Sequence, residues 1–302
     1  MGPTASGKTA IAAQYCQRYG AEVISVDSAL VYRGLNIGSA KPDAALLQQA
    51  PHHLINLRSP HQAYSAADFA QDALLALNDL QQRGKLPLLV GGTGLYFRAL
   101  FQGLSTMPEA DLSIRVEIEQ EAKASGWSAL HRELLRIDPA AAARINPADT
   151  QRISRALEVW RISGRSMSDW QGMSPGHQPF PFRVLKLVIS PDDRALLHQR
   201  IAQRFEQMLA AGFLDEARAL ASDPTIGPDL PAMRAVGYRQ ALAHLRGETD
   251  FEQFRAQAIA ATRQLAKRQL TWLRSEYDAR WFDPERQRAE LDLAVDLFFT
   301  RR

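Results

Sequence analysis

Between Glu22 and Leu100 two short apolar runs are separated by a stretch with helical spacing. "EVISVD" (22–27) and "LPLLV" (86–90) show little alternation, the pattern of strands buried on both faces. Between them, "YSAADFAQDALLALNDLQQRGK" carries a helical period that stops at Gly84. Ahead of the first run, Thr9 to Tyr19 places Ile11, Ala12 and Tyr15 at helical spacing, with Gly20 to close the helix. Apolar strands alternating with helices predict a parallel α/β sheet, and ligands gather beyond the carboxyl ends of such strands. The loop at 2–9, Asp27 and the loop at 91–94 are therefore expected to face one crevice.

From about Met107 to Pro181 the pattern changes to amphipathic helices such as "SALHRELLRI" and "DTQRISRALEVWRISG", with no convincing strand, followed by the Pro/Gly-rich connector "GMSPGHQPFPF". "RVLKLVI" (183–189) returns to strand. Ser190, followed by Pro191 and the acidic Asp192 and Asp193, predicts the N-cap of a helix running to about Ala211, before Gly212. The remainder, down to "ATRQLAKRQLTWLRSEYDARW", reads as helical. The expected fold class is α/β: a P-loop-type parallel sheet core flanked by helices (1–106 and 181–302) with a mostly helical insertion domain (107–180).

Composition narrows the class without naming a function. The chain has 302 residues, 46% hydrophobic and 23% charged, enough for a sizeable core. No apolar run approaches the ~18 residues of a membrane span, and no signal peptide is read before the loop. The single cysteine, Cys16, reads as a small core residue, fits a reducing cytoplasm and excludes an intrachain cysteine-type zinc finger. A net charge of +3 leans mildly toward polyanionic partners.

The chemistry begins at the first residues. Gly2, Gly7, Lys8 and Thr9 fill the fixed positions of G-x-x-x-x-G-K-[ST], with Pro3, Thr4, Ala5 and Ser6 between them. In that motif successive backbone N–H groups wrap a phosphate, the Lys adds positive charge and the hydroxyl takes a Mg²⁺. A Gly-rich turn before a helix is the plain alternative. Asp27, at a strand end, is placed to accept a proton; a carboxylate there also fits a Mg²⁺ ligand or a loop cap. Thr93 in "GGTG" lies across the crevice and reads equally as a turn residue. His52 and His53 are adjacent on an extended segment and point opposite ways, which disfavours a shared metal.

The loop alone suggests an ATP-using kinase, but the stretches after it point elsewhere. "GPTASGKT", "ISVDSALVYRGLNIGSAKP", "YSAADF", "PLLVGGTGLYFRAL", "RALEVWRISG", "VGYRQAL" and "TRQLAKRQLTWLR" together resemble the tRNA dimethylallyltransferases, in order and over essentially the whole chain. The resemblance implies transfer of a dimethylallyl group from dimethylallyl diphosphate to N6 of the adenosine 3′ of the anticodon (position 37), with Mg²⁺, releasing pyrophosphate. It implies that Gly2 to Thr9 and Arg204 hold the diphosphate, that Thr9 holds the metal, and that Asp27, Thr93, Lys8 and Arg204 are catalytic. A solvated helix face remains the alternative for Arg204. For tRNA it implies Asp27, Ser28, Ala29, Leu30, Thr93 and Arg115. It adds Gln151, Arg152, Ile153, Ser154 and Arg155, then Arg234, Gly237, Tyr238 and Arg239, then Lys267, Arg268, Gln269, Trp272 and Arg274. These stretches interleave basic residues with polar and aromatic ones, as single-stranded RNA loops require. Arg263, Lys267 and Arg274 share one helical face.

The resemblance also marks a departure. The family's strand ahead of the phosphate loop, ending "LMG", is absent, and Met1 stands where that internal Met would be. Either the numbering starts late or a sheet lacking a buried strand is expected to be unstable. Dimethylallyl diphosphate and the tRNA anticodon stem-loop are the expected partners of a cytoplasmic monomer, with no membrane and no zinc. The alternatives are an isopentenyltransferase acting on free AMP or ADP, a small-molecule P-loop kinase, and a non-catalytic RNA-binding module.

Overall fold

A computed structural model describes residues 1–103, 107–173 and 180–300. The chain divides into two compact units, residues 1–101 with 180–302, and residues 102–179. The first unit begins with α1 (Lys8–Tyr19), β1 (Ala21–Val26), α2 (Ala44–Gln49), β2 (His52–His53), α3 (Ala66–Gln82), β3 (Leu86–Gly91) and α4 (Gly94–Gln102). The second holds α5 (Leu112–Ser125), α6 (Trp127–Ile137), α7 (Pro139–Arg144), α8 (Thr150–Ser163) and α9 (Met167–Gly172). The first then resumes with β4 (Leu187–Ile189), α10 (Arg194–Ala210), α11 (Phe213–Ala221), α12 (Tyr238–Leu245), α13 (Phe251–Leu273), β5 (Arg280–Phe282) and α14 (Arg288–Thr300).

Among the described residues every strand pairing is parallel, in the orders β2-β1-β3 and β4-β5. All six residues of β1 are buried, which is why its sequence is nearly continuous in apolar side chains. Its charged member, Glu22, is held by Arg83 and His53. Those hydrogen bonds, Arg83's foremost, bring its carboxyl down to about 2 against the opposing effect of burial. Ser65 caps α3 through a reciprocal capping box with Asp68, so that helix starts one residue after Ser65. Phe69, Ala73, Leu77 and Leu80 of α3 then pack on Ile24 and Val26 of β1.

Residues 1–2 join the three-stranded and the two-stranded sheets. The Met1 amino group donates to Leu187 O (2.7 Å), Ile189 N–H to Met1 O (2.9 Å), and Gly2 N–H to Gly91 O (3.2 Å). Beyond Met1 the edges of β3 and β4 face an apolar cavity of about 330 Å³, lined by Leu77, Leu86, Leu88, Leu187 and Phe298 among others.

Two local expectations change. The helix after β4 is capped by Asp193, whose side chain accepts from Ala195 N–H, and not by Ser190. Ser190 N–H donates instead to Phe282 O at the end of the β4–β5 pairing, and Asp192 N–H to the Asp283 carboxylate. The stretch "RSEYDARW", expected as helix, leaves α13 after Leu273 and re-enters as β5, which pairs with β4. The second unit buries Ile118, Leu130, Leu134, Ile153 and Leu157 in a core of its own.

Candidate active site

The carboxyl ends of β1 and β3 open onto a cavity of about 300 Å³ whose wall includes Lys8, Thr9, Ser25, Asp27, Thr93 and Arg204. That volume suits a small ligand. The loop at 2–9 reaches it by unusual backbone geometry. Gly7 has φ +89°, a left-handed conformation that glycine adopts without a steric cost, and Ala5 has φ +61°. A Cβ on Gly2 would stand 2.4 Å from Ile189 O, so only glycine lets the loop lie this close to β4. α1 then starts at Lys8 and directs its amino end at the cavity, a favourable end for an anion.

Lys8 Nζ donates to Pro3 O (3.1 Å). Burial lowers its pKa to about 8, with Asp27 pulling upward and Arg204 downward. Arg204, on α10, has its pKa lowered by burial, which Asp27 partly offsets. It makes no hydrogen bond or ion pair with another described residue. Two cations facing one cavity and a single nearby carboxylate leave positive charge for an anionic ligand to neutralise.

Asp27 follows the last residue of β1. Its Oδ1 accepts from Ala29 N–H (2.8 Å) and Leu30 N–H (3.4 Å), while Oδ2 has no hydrogen bond among the described residues. Asp27 therefore caps its own loop with one oxygen and presents the other. Thr93 N–H donates to Val26 O (3.3 Å) and its carbonyl accepts from Tyr96 and Phe97, so the turn into α4 is fastened beside the end of β1. Ser28 is exposed, and Ala29 and Leu30 are half-buried in the cavity wall.

Some of the machinery was not singled out in the sequence. Ser25 Oγ is buried without a partner, on the same wall as Asp27. The period of two along β1 was the available signal. Glu216 gathers Asn36, Ile37 and Gly38 N–H (2.9, 2.8 and 3.0 Å) and the Tyr238 hydroxyl (2.6 Å), fixing the loop that carries Gly38 and Ser39 into the cavity wall. Nothing local to either segment connects residues 180 positions apart. His52 lines the cavity and His53 instead binds Glu22 (2.7 Å).

The basic stretches sort by exposure. Lys267 and Arg268 on α13 and Arg274 at its C-cap are exposed, whereas Gln269 and Trp272 are half-buried. Arg234 is exposed at the cavity rim and Arg239 is exposed on α12, while Gly237 and Tyr238 are buried, with Tyr238 only 1% exposed. Tyr238 can therefore shape the surface that its neighbours present but offers none itself. In the second unit Gln151 and Arg152 are exposed, Ser154 is half-buried, and Ile153 lies in the core. Arg115 and Arg155 both bind Glu158, which is wholly buried and also accepts Asp111 N–H. Opposed hydrogen bonds hold that carboxyl below its ordinary range despite burial.

Comparison with known proteins shows the family. The IPP transferase family model matches residues 30–276. The chain belongs to the IPP transferase family. This IPP transferase is 60% identical to the tRNA dimethylallyltransferase of Stenotrophomonas maltophilia (strain R551-3), covering 100% of the chain and 96% of that relative. It is 58% identical to the tRNA dimethylallyltransferase of Xanthomonas axonopodis pv. citri (strain 306), covering 100% and 94%. A solved tRNA isopentenylpyrophosphate transferase from Bacillus halodurans aligns with TM-score 0.70 at 34% identity, over 98% of this chain and 93% of that one. A solved eukaryotic dimethylallyltransferase acting on tRNA aligns with TM-score 0.80 at 25% identity, over 100% and 78%. The fold of this IPP transferase is thus α/β with a P-loop-type parallel core, as its neighbours are.

Proposed function

We infer that the protein transfers a dimethylallyl group from dimethylallyl diphosphate to N6 of the adenosine 3′ of the anticodon (position 37) in tRNA, releasing pyrophosphate. The observation that carries this reading is the pairing of two cations, Lys8 and Arg204, with one carboxylate, Asp27, across a cavity of about 300 Å³. A diphosphate is a good anionic leaving group once its charge is neutralised, and Lys8, Arg204 and the amides of the 2–9 loop supply that neutralisation. As the allylic C–O bond breaks, its electron pair leaves with pyrophosphate. The N6 lone pair forms the new C–N bond, and the N6 proton passes to Asp27 Oδ2.

The site suits a hard cation. Thr9 of the phosphate loop and the orphaned Ser25 Oγ are oxygen donors in the cavity lining, the chemistry Mg²⁺ favours alongside substrate phosphates. Bound with Thr9, Mg²⁺ would draw off charge from the departing pyrophosphate. Thr93, held beside the end of β1 by its N–H to Val26 O and not opposite Asp27 as expected, would line the path of the entering base. The base must first leave its stack, and the exposed Lys267, Arg268 and Arg274 supply cations for the anticodon-loop phosphates. The second unit, with Arg115, Gln151, Arg152, Ser154 and Arg155, is proposed to bind the anticodon stem-loop, Ile153 being in its core.

Radiolabelled dimethylallyl diphosphate incubated in parallel with unmodified tRNA, AMP and ATP tests the reading. Label should enter tRNA alone. Label in AMP or ATP would place the enzyme among transferases for free nucleotides, and label in none would refute prenyl transfer.

A further inference from the structure

Helix α13 carries two kinds of side chain within two turns. Lys267, Arg268 and Arg274 face solvent. Gln269 and Trp272, three residues apart and so on one face, turn inward onto the catalytic loops. Gln269 Oε1 accepts from Thr4 N–H at 2.8 Å, inside the phosphate loop and 265 residues away in sequence. Its amide nitrogen lies so close to Gly92 that a Cβ there would stand 2.3 Å away. Trp272 lies equally close to Gly94 and stacks on Phe97, with centroids 5.7 Å apart and planes 9° from parallel. Gly92 and Gly94 are therefore small because α13 rests on them, whereas a Cβ on Gly91 would meet Val26 of β1. Next to Gln269, Ala266 and Leu270 of α13 pack with Leu197 and Ile201 of α10, and Ala5 of the phosphate loop packs against the same cluster. α10 also carries Arg204.

We propose that Gln269 is a positioning residue for the donor diphosphate, acting through Thr4 and the 91–94 loop, and that it makes no contact of its own with RNA. This role rests on the prenyl-transfer reading above. The side-chain oxygen takes up the Thr4 amide, so this peptide of the phosphate loop is fixed next to Ala5 and Lys8 in the cavity lining. Without that acceptor, Thr4 N–H loses its partner and the loop is free to rotate, which weakens grip on the diphosphate. The same side chain spans to Gly92, so the phosphate loop and the turn bearing Thr93 are set at a fixed separation.

The test is steady-state kinetics of Gln269→Leu and Gln269→Met, which keep the bulk but lack the acceptor, with each substrate varied in turn. The expected result is a rise of about tenfold in the KM for dimethylallyl diphosphate, with kcat within about twofold and the KM for tRNA unchanged. Calorimetric binding of inorganic pyrophosphate with Mg²⁺, without tRNA, should weaken by a similar factor. A structural role alone would lower kcat through loss of folded enzyme and leave both KM values in place, and that outcome overturns the proposal. So does a rise confined to the KM for tRNA, which would make Gln269 an RNA-binding residue. Wild-type protein that transfers no prenyl group would overturn the function and this role together. An active wild type whose variants keep its donor KM would overturn the role alone.

Discussion

Asparagine at position 27 separates the two tasks that Asp27 performs. The amide oxygen of Asp27→Asn can still accept from Ala29 and Leu30 N–H, now 2.8 and 3.4 Å from Oδ1, so the loop after β1 should keep its shape. What is lost is the proton acceptor at Oδ2. A positioned general base contributes about 10²- to 10⁴-fold, equivalent to roughly 3–5 kcal/mol at 1.36 kcal/mol per decade. A second consequence follows from charge. Asp27 raises the pKa of Lys8, which burial has brought to about 8, so without the carboxylate Lys8 should lose its proton at lower pH. Donor binding by Asp27→Asn should therefore begin to weaken at a lower pH than in wild type. The assay is single-turnover transfer from saturating labelled donor to an anticodon stem-loop, which isolates chemistry from product release, with stem-loop affinity measured separately. A loss of less than tenfold in the transfer rate, or an equal loss of RNA affinity, would refute the assignment. Activity restored by raising Mg²⁺ would place Asp27 on the metal instead.

Three further outcomes are expected. Lys8→Met should weaken pyrophosphate binding by roughly 10²- to 10³-fold, the size of one lost charge-stabilising donor. Because burial depresses the Lys8 pKa from 10.5 to about 8, the charged form strains the fold below pH 8 and the strain lifts as pH rises toward 10.5. Lys8→Met should accordingly raise Tm at pH 7 while abolishing function, which thermal scans against donor titrations would check. Lys267→Ala or Arg274→Ala should flatten the plot of log tRNA affinity against log salt by about 0.7–0.9 for each phosphate that the side chain neutralises, read by filter binding, with donor affinity unchanged. Glu22 has its pKa depressed from 4.5 to about 2, so its contribution to stability is present above pH 4.5 and fades as pH falls toward 2. Arg83→Ala, which removes the principal cause of that shift, should raise the midpoint of acid unfolding; an unchanged midpoint would show that Arg83 contributes nothing there.

Much of the core was legible because its signals are local. The apolar run at β1, the box at Ser65 and Asp68, and the glycines at 2 and 7 each carry their reason within a few residues. Asp27 was legible as a strand-end carboxylate, but its division of labour between two oxygens needed coordinates. Ser190 shows the limit of local rules. It satisfies those for an N-cap, yet its N–H is taken up by Phe282, far along the chain, and the cap falls to Asp193. β5 was hidden for the same reason, since three residues gain their strand geometry only from β4. Glu216 and Gln269 lie furthest from sequence reasoning. Each takes up backbone amides that sit about 180 and 265 residues earlier, and no pattern near either residue announces that.

The central claim is tested most directly by locating the product. Wild-type enzyme, unmodified tRNA and dimethylallyl diphosphate should be incubated to completion, and the tRNA then digested to nucleosides and analysed by mass spectrometry alongside a pyrophosphate assay. The expected product carries one dimethylallyl group per tRNA, on N6 of the adenosine 3′ of the anticodon, with one pyrophosphate released for each group transferred. Unmodified adenosine at that position, or a prenyl group found only on free nucleotide, would contradict the claim.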